Sequence, residues 1–519
     1  MKKIPQREVK IKPLFWPLVT GLISGAVVAW LNPGQQPVRA FLVAFLLAGS
    51  SWWVISAVLT KLQSNRTARL TTALAFSLRL LIGVILFITL PIFGYNEAPP
   101  NNGYLYLDAY ERDTDAWELA ASGCSLASAF GDEFATDQYG GLLSLSAGIY
   151  RLLSPDAHRP LLILILTSFV AALGLPFFWK AVSSRWGEKT ANASAWIYAL
   201  YPESIILGAS QMREPILIGL SAIALWGVLR WREDHHSSII ALALSGLFMV
   251  FISIKAAAAI GLALAVWFWL ENLLPKMNRT WRLVSLAALI LAVIAGSFLS
   301  WGWLVDSSRW DLMLMEGSSG RIQWEVELIG ERFRAPFIIG YGLAQPVLPA
   351  AIVYPGLPIT RSIAIFRSLG WYLLAPLLFS GFLLVWKKQL KIDRRVLLLF
   401  FLIVLIWTFI SSVRAGGDQW DNPRYRAIFL VWMAFLGGWS WVHTLEQRSP
   451  WLWRILLLEA IYIGFFIQWY LSRYYSLFKR MDFWPMVQLL GGIGVVVIFG
   501  GIIFDLIYNK IRKSNKENK

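Results

Sequence analysis

Val396-Leu397-Leu398-Leu399-Phe400-Phe401-Leu402-Ile403-Val404-Leu405-Ile406-Trp407 opens an uncharged run that continues to Val413, with Arg394 and Arg395 before it and Arg414 after it. At ~1.5 Å rise per residue, a helix of this length approaches the ~30 Å hydrocarbon core of a bilayer. The run has neither the alternation of a half-buried strand nor the polar stripe of a surface helix, and its flanking arginines suit the headgroup layer. It reads as a transmembrane helix.

Runs of the same kind recur along the chain. They fall at 14–31, 38–59, 73–94, 160–180, 191–208, 215–231, 238–253, 256–270, 283–304, 368–386, 396–413, 427–443, 453–472 and 486–508. A further apolar segment, 141–153, is too short to cross. With 57% hydrophobic residues and 28 Trp in 519 positions, the chain reads as an all-α, polytopic membrane protein of about 13–14 transmembrane helices. No internal repeat or soluble domain interrupts it, so 1–519 reads as one integral membrane domain. Its parts are N-terminal helices (1–94), an acidic outer loop with juxtamembrane helices (95–159), core helices (160–304), a second outer loop (305–367) and C-terminal helices (368–519). The first apolar run is too long for a cleaved signal peptide and reads as a signal-anchor.

Charge predicts sidedness. Lys2, Lys3, Arg7, Lys10 and Lys12, then Lys61, Arg66 and Arg69, then Lys387, Lys388, Lys391, Arg394 and Arg395, and finally the tail from Lys510 to Lys519 all fall on one face of a fourteen-span chain. By the excess of basic residues in inner loops that face is cytoplasmic, which places both termini inside a multi-pass plasma-membrane protein. The segment 95–159 then faces outward, with ten carboxylates against three arginines in a chain of net charge +16. Because the basic residues flank spans, they are membrane anchors rather than a nucleic-acid footprint. The lone Cys124 excludes an intramolecular disulfide, and His158, His235, His236 and His443 are too scattered to read as a metal site.

Three constellations could carry chemistry. The first is Asp113-Thr114-Asp115-Ala116-Trp117, at the start of a surface helix expected near 112–123, followed by an interfacial helix near 138–153. The competing reading is a solvated acidic turn that complements the helix dipole. The second is Tyr201-Pro202-Glu203-Ser204 with Arg213-Glu214-Pro215 at an outer turn, where an ionisable pair is either functional or a helix cap. The third is a set of cations on the outer side: Lys255, Arg361, Arg414, Arg424 and Arg426. Guanidinium groups there suit a phosphate or pyrophosphate, or they anchor the helices by pairing with Asp418 and Asp421. Lys255 sits at a break between 238–253 and 256–270, and topology favours a tight hairpin with Lys255 at the outer surface.

In their order and sidedness these residues resemble the GT-C superfamily of polyprenyl-phosphate-sugar glycosyltransferases, such as protein mannosyltransferases and aminoarabinose transferases. The resemblance is carried by Asp113, Asp115 and Trp117 with Ala120 and Gly123, by Arg185-Trp186-Gly187 through Tyr201-Pro202, by Glu214, and by Arg424-Tyr425-Arg426 entering a late span. The chain departs from the family in having three spans before the acidic loop and an Asp-x-Asp rather than adjacent acids, which leaves the base open between Asp113 and Asp115. The resemblance implies inverting transfer of a sugar from a polyprenyl-phosphate donor to a hydroxyl of a lipid, glycan or protein acceptor at the outer face. Asp113, Asp115 and Glu214 would be catalytic, while Lys255, Arg361, Arg424 and Arg426 would hold the donor phosphate. Trp117, Tyr201 and Arg213 would line the pocket. No cofactor is assigned, and a divalent cation stays open because some relatives hold one. A polymerase or ligase of lipid-linked glycans and a lipid or solute transporter are the alternatives, the latter weakened by the absence of matching interrupted helices in two halves.

Overall fold

Gly21 and Gly25 meet the second helix where a methyl group would stand 2.8 Å from the carbonyl oxygens of Phe45 and Phe41, and Gly49 faces the carbonyl of Pro17 at 3.3 Å. This descending register makes α1 (Phe15–Leu31) and α2 (Pro37–Lys61) an antiparallel pair in close backbone contact. The computed structural model describes residues 15–31, 36–131, 140–291, 294–296, 298, 302, 330–386 and 394–517. All regular structure among them is helical, and the chain divides into two compact units, Met1–Lys276 and Met277–Lys519.

In the first unit, the Asn65 side chain accepts from the Ala68 amide at 2.8 Å and starts α3 (Arg66–Phe93). The acidic loop supplies α4 (Leu107–Ser122) and α5 (Gly141–Leu153). Then follow α6 (Leu161–Trp186), α7 (Glu188–Leu200), α8 (Pro202–Ala209), α9 (Glu214–Arg230), α10 (His235–Ile252) and α11 (Ile254–Phe268). α6 is the central helix and packs on α2, α3, α7 and α9.

Polar ties define the two ends of this unit. Asn65 bonds Glu188 and Asn192, Arg185 pairs with Glu271, and Arg232 bonds the Asn272 side chain. Those contacts gather the start of α3, the end of α6, the α9–α10 turn and the end of α11 at one basic end. At the other end Arg112 of α4 reaches the α8–α9 turn, and Gly141 of α5 lies against the backbone of Phe251. α11 therefore returns antiparallel to α10 across an extended break at Ser253 (φ −163°), leaving Lys255 at the end that carries α4 and α5. Acidic and basic loops thus lie at opposite ends of the helices.

The second unit holds α12 (Glu331–Ala344), α13 (Leu348–Val353), α14 (Pro358–Val385), α15 (Arg394–Ala415), α16 (Asp421–Ala427), α17 (Leu430–Glu446), α18 (Trp451–Tyr475) and α19 (Phe483–Glu517). α14 packs on α17 where Gly381 gives way to Ser440, and Ser380 and Ser440 share a 2.9 Å hydrogen bond. Arg454 of α18 donates twice to Asp505 of α19, at 2.7 and 2.8 Å, which neutralises both charges within apolar helices.

Ten helices among the described residues are long and apolar enough to cross a membrane, or up to twelve if each of two bent pairs is one span. The expected number was about 13–14, and the difference falls at particular stretches. The described part of α1 begins at Phe15, where the described residues start, and the stretch 191–208 is two helices parted at Tyr201, because Pro202 offers no amide and biases the preceding residue to extended backbone. The expected spans 215–231 and 427–443 are each one arm of a bent pair, α8–α9 at 120° and α16–α17 at 75°. Part of 283–304 and all of 305–329 lie outside the described residues, as do 138 and 139 of the expected interfacial helix.

Candidate active site

α4 is a two-faced helix. Successive residues turn by ~100°, so Asp113 and Asp115 stand ~160° apart. Asp108, Glu111, Asp115 and Glu118 fall on the outer face, while Ala109, Arg112, Asp113, Ala116 and Leu119 are buried. Burial, reinforced by the charges of Asp108 and Asp115, raises the Glu111 carboxyl above its ordinary range. The two acids quoted together in the sequence therefore have different surroundings, and only Asp113 enters the interior.

There it meets three donors. The Tyr104 hydroxyl donates to Asp113 Oδ2 at 2.6 Å, the Tyr150 hydroxyl donates to Oδ1 at 2.6 Å, and His158 Nε2 lies 2.8 Å from Oδ2. Burying a carboxylate is expensive without such partners. Tyr104 follows Gly103, whose left-handed backbone (φ 83°) also spares a clash with the Phe87 carbonyl oxygen, 2.9 Å from any added methyl. Tyr150 comes from α5, which packs along α4 through Leu143, Ala147, Ala116 and Leu119. Burial, then the negative charge of Asp113, pushes both phenols up, so both remain protonated donors.

His158 is placed by a clamp in the turn before α6. The buried Arg159 donates to Asp156 at 2.6 and 3.0 Å and to the Ser154 hydroxyl at 2.6 Å, and Arg39 of α2 adds a 3.2 Å contact to Asp156. The Arg159 hydrogen bond, ahead of the partial burial that opposes it, holds the Asp156 carboxyl below the usual range. Such a depressed group stabilises the fold above its unfolded pKa, and that contribution is lost as pH falls through the folded value. Asp156→Asn is expected to cost about 1–3 kcal/mol at pH 7, the scale of hydrogen bonds to a charged group. In thermal unfolding followed from neutral to acid pH, the difference between wild type and variant should shrink as pH drops.

The remaining sequence candidates of the first unit are dispersed around this centre. Trp117 stacks on the His158 ring (5.5 Å, 16°) and meets Tyr150 edge-on (5.8 Å, 83°), so it is a wall of the cluster. Arg112 donates to the Gln211 carbonyl at 2.5 Å, and Gln211 takes a left-handed conformation (φ 57°) in the α8–α9 bend. Glu214, fully buried, opens α9 beside Arg213 (3.9 Å), and Tyr201 is buried at the α7–α8 joint. A cavity of about 10 Å³ lies between Gly103, Tyr104, Ser210 and Gln211. Lys255 is exposed on the first turn of α11.

In the second unit the arginines are built into the fold. Arg426 is fully buried, donates to the Gln345 carbonyl at 2.5 Å and lies 3.5 Å over the Trp371 ring. Arg424 pairs with Asp421 at 3.2 Å, and Arg414 covers the Tyr425 ring at 4.1 Å. These contacts supply the anchoring alternative with concrete partners. Burial and the neighbouring Asp421 raise the Asp418 carboxyl, which accepts from the Trp420 and Asp421 amides. Arg361 is exposed on α14. Between α14, α18 and α19 lies an apolar cavity of about 610 Å³ bordered by Trp371, Arg454 and Glu459.

The sequence reasoning did not assign Tyr104, Tyr150, His158, Arg112 or Arg79 to a site. Arg79 had a legible signal, an arginine within an apolar run. It is fully buried, donates to Ala75 O at 2.7 Å and Ser204 Oγ at 2.8 Å, and occupies space left by Gly208. Among the described residues no three His, Cys, Asp or Glu side chains gather as ligands for one metal ion. Comparison with known protein families, with characterised proteins and with solved structures found no match.

Proposed function

We propose that the chain is a membrane glycosyltransferase that moves a sugar from a polyprenyl-phosphate donor to an acceptor hydroxyl at the outer, acidic end of its first unit, with inversion. The observation that carries this reading is Asp113. It is a carboxylate 2% exposed, held by two phenols and an imidazole, on a helix tied to the α8–α9 turn at one end of the first unit. A lipid-linked donor keeps its tail in the bilayer, so its phosphate and sugar sit at the depth of helix ends. The Asp113 charge would drive removal of the acceptor's proton as the glycosidic bond forms. Lys255 and the first-turn amides of α11 offer positive potential to the departing phosphate at the same end. Arg213 and Glu214 border the bend beneath α4 and would orient the acceptor.

Purified protein in nanodiscs, given radiolabelled polyprenyl-phosphate sugars and membrane extract as acceptor, should transfer label to product. Asp115→Asn should keep turnover within about 3-fold, because exposed-face substitutions seldom disturb a site they do not line. Binding of a lipid-linked oligosaccharide, with transfer of the whole glycan only, would support a polymerase or ligase instead.

A second reading, transport, is favoured by one specific feature. Each unit contains a sharply bent helix pair, α8–α9 and α16–α17, and interrupted helices in both halves are how many transporters expose backbone to a substrate. The sequence had offered no such pair. Uptake or lipid scrambling in liposomes, with no sugar transfer across the donor panel, would establish it.

A further inference from the structure

Within the Asp113 cluster only one member has both accessibility and a spare lone pair. Asp113 is 2% exposed, its Oδ2 is shared by Tyr104 and His158, and its Oδ1 accepts from Tyr150, so an incoming hydroxyl has no approach to it. The two phenols are donors and cannot take a proton. His158, by contrast, is 28% exposed at its side chain. A carboxylate opposite Nε2 fixes the ring proton there and leaves the lone pair on Nδ1. That nitrogen makes no hydrogen bond among the described residues. Trp117 flat against one ring face and Tyr150 across it (5.1 Å, 84°) hold the ring in place.

We infer that His158 is the residue that takes the acceptor's proton, and that Asp113 acts through it as a positioning residue. The inference rests on the glycosyl-transfer reading. The hydroxyl proton passes to Nδ1 while the oxygen's electron pair forms the new bond to the anomeric carbon. The bond from that carbon to the lipid-phosphate oxygen breaks, and the phosphate departs with the bonding pair. The imidazolium, stabilised by Asp113 on its other nitrogen, then returns its proton to water. The pattern of an exposed base oriented by a buried carboxylate is general to nucleophile activation.

Two variants and one chemical probe test this. His158→Gln keeps a side-chain amide to donate to Asp113 but has no basic nitrogen. It should lower kcat about 10²- to 10⁴-fold, the usual yield of a general base, with KM changed only a few-fold. His158→Ala should be equally slow, and millimolar free imidazole should restore at least about 10-fold of the rate, which a merely structural role would not allow. Diethyl pyrocarbonate followed by peptide mass spectrometry should modify His158 alongside the exposed His236. Turnover of His158→Gln within about 3-fold of a wild type that transfers sugar would overturn the proton acceptor alone. So would a His158 left unmodified when His236 is complete. A wild type that transfers nothing overturns the glycosyl-transfer reading and this role with it.

Discussion

Asp113→Asn is expected to lower sugar transfer by about 10³-fold or more while the protein still folds, and Asp113→Leu to destabilise it outright. Asparagine retains one oxygen to accept from Tyr150, and its amide can donate to a re-oriented Tyr104 or to the other tautomer of His158. The price of that rearrangement is chemical. His158 Nε2 would become the acceptor, its proton would move to Nδ1, and the nitrogen facing outward would lose its lone pair. Loss of the correct tautomer in a base held by a carboxylate lowers turnover by roughly 10⁴ in the best-studied case. Leucine instead leaves two buried phenols and an imidazole with no acceptor. At about 1–3 kcal/mol for each unmatched donor, the cost is about 3–9 kcal/mol. The measurements are the nanodisc transfer assay for the first variant and thermal unfolding by fluorescence-detected size exclusion for the second. Wild-type turnover in Asp113→Asn would remove the Asp113 cluster from the chemistry altogether.

The helices were far more legible than this cluster, for a physical reason. Lipid is a one-dimensional selector: a segment either carries enough consecutive apolar residues or does not. The run 38–59 accordingly lies inside Pro37–Lys61, and 396–413 inside Arg394–Ala415. Where the reading failed, local backbone chemistry had overridden hydropathy, as at Tyr201-Pro202, or a polar residue had been carried inside an apolar run, as at Arg79. Asp113 was visible because carboxylates are scarce near apolar helices. Its partners were not. Tyr104, Tyr150 and His158 lie 9, 37 and 45 residues from it, on a turn, a second helix and a third connection. Two tyrosines and a histidine at those separations have no period or spacing to announce them, and only the packing of α4 on α5 brings them together. The arginines of the second unit show the opposite case. Arg424 and Arg426 were conspicuous as outer cations, yet their visible contacts are an aspartate, a carbonyl and a tryptophan ring.

Gly219→Val is expected to damage the first unit severely. α6 and α9 cross so closely that a methyl group at Gly219 would lie 2.2 Å from the Val170 carbonyl oxygen and 2.8 Å from its carbonyl carbon. The partner position is as tight, with a methyl at Gly174 only 2.5 Å from the Gly219 oxygen. These neighbours are backbone and cannot rotate away, so the helices must separate. Small residues at such crossings are what allow membrane helices to gain dispersion contacts without a hydrophobic drive between them. Over-packing a tight site costs about 1–3 kcal/mol and sometimes more, and valine's branched side chain against backbone belongs at or beyond the upper limit. At about 2–4 °C per kcal/mol for a unit of this size, the unfolding midpoint should fall by about 6–12 °C or the protein should fail to fold. Gly246→Ala is the matched control, because a methyl there meets nothing within 4 Å and alanine favours a helix by about 0.5–1 kcal/mol. The consequence reaches the site, since α9 begins at Glu214 and the bend before it holds Arg112 through Gln211. A variant that folds at low temperature should therefore also lose transfer, although residue 219 lies more than a helical turn from Glu214 and touches none of the Asp113 cluster. If Gly219→Val instead unfolds at the same temperature as Gly246→Ala, the α6–α9 crossing is looser than these distances require, and the placement of the α8–α9 bend must be sought in other contacts.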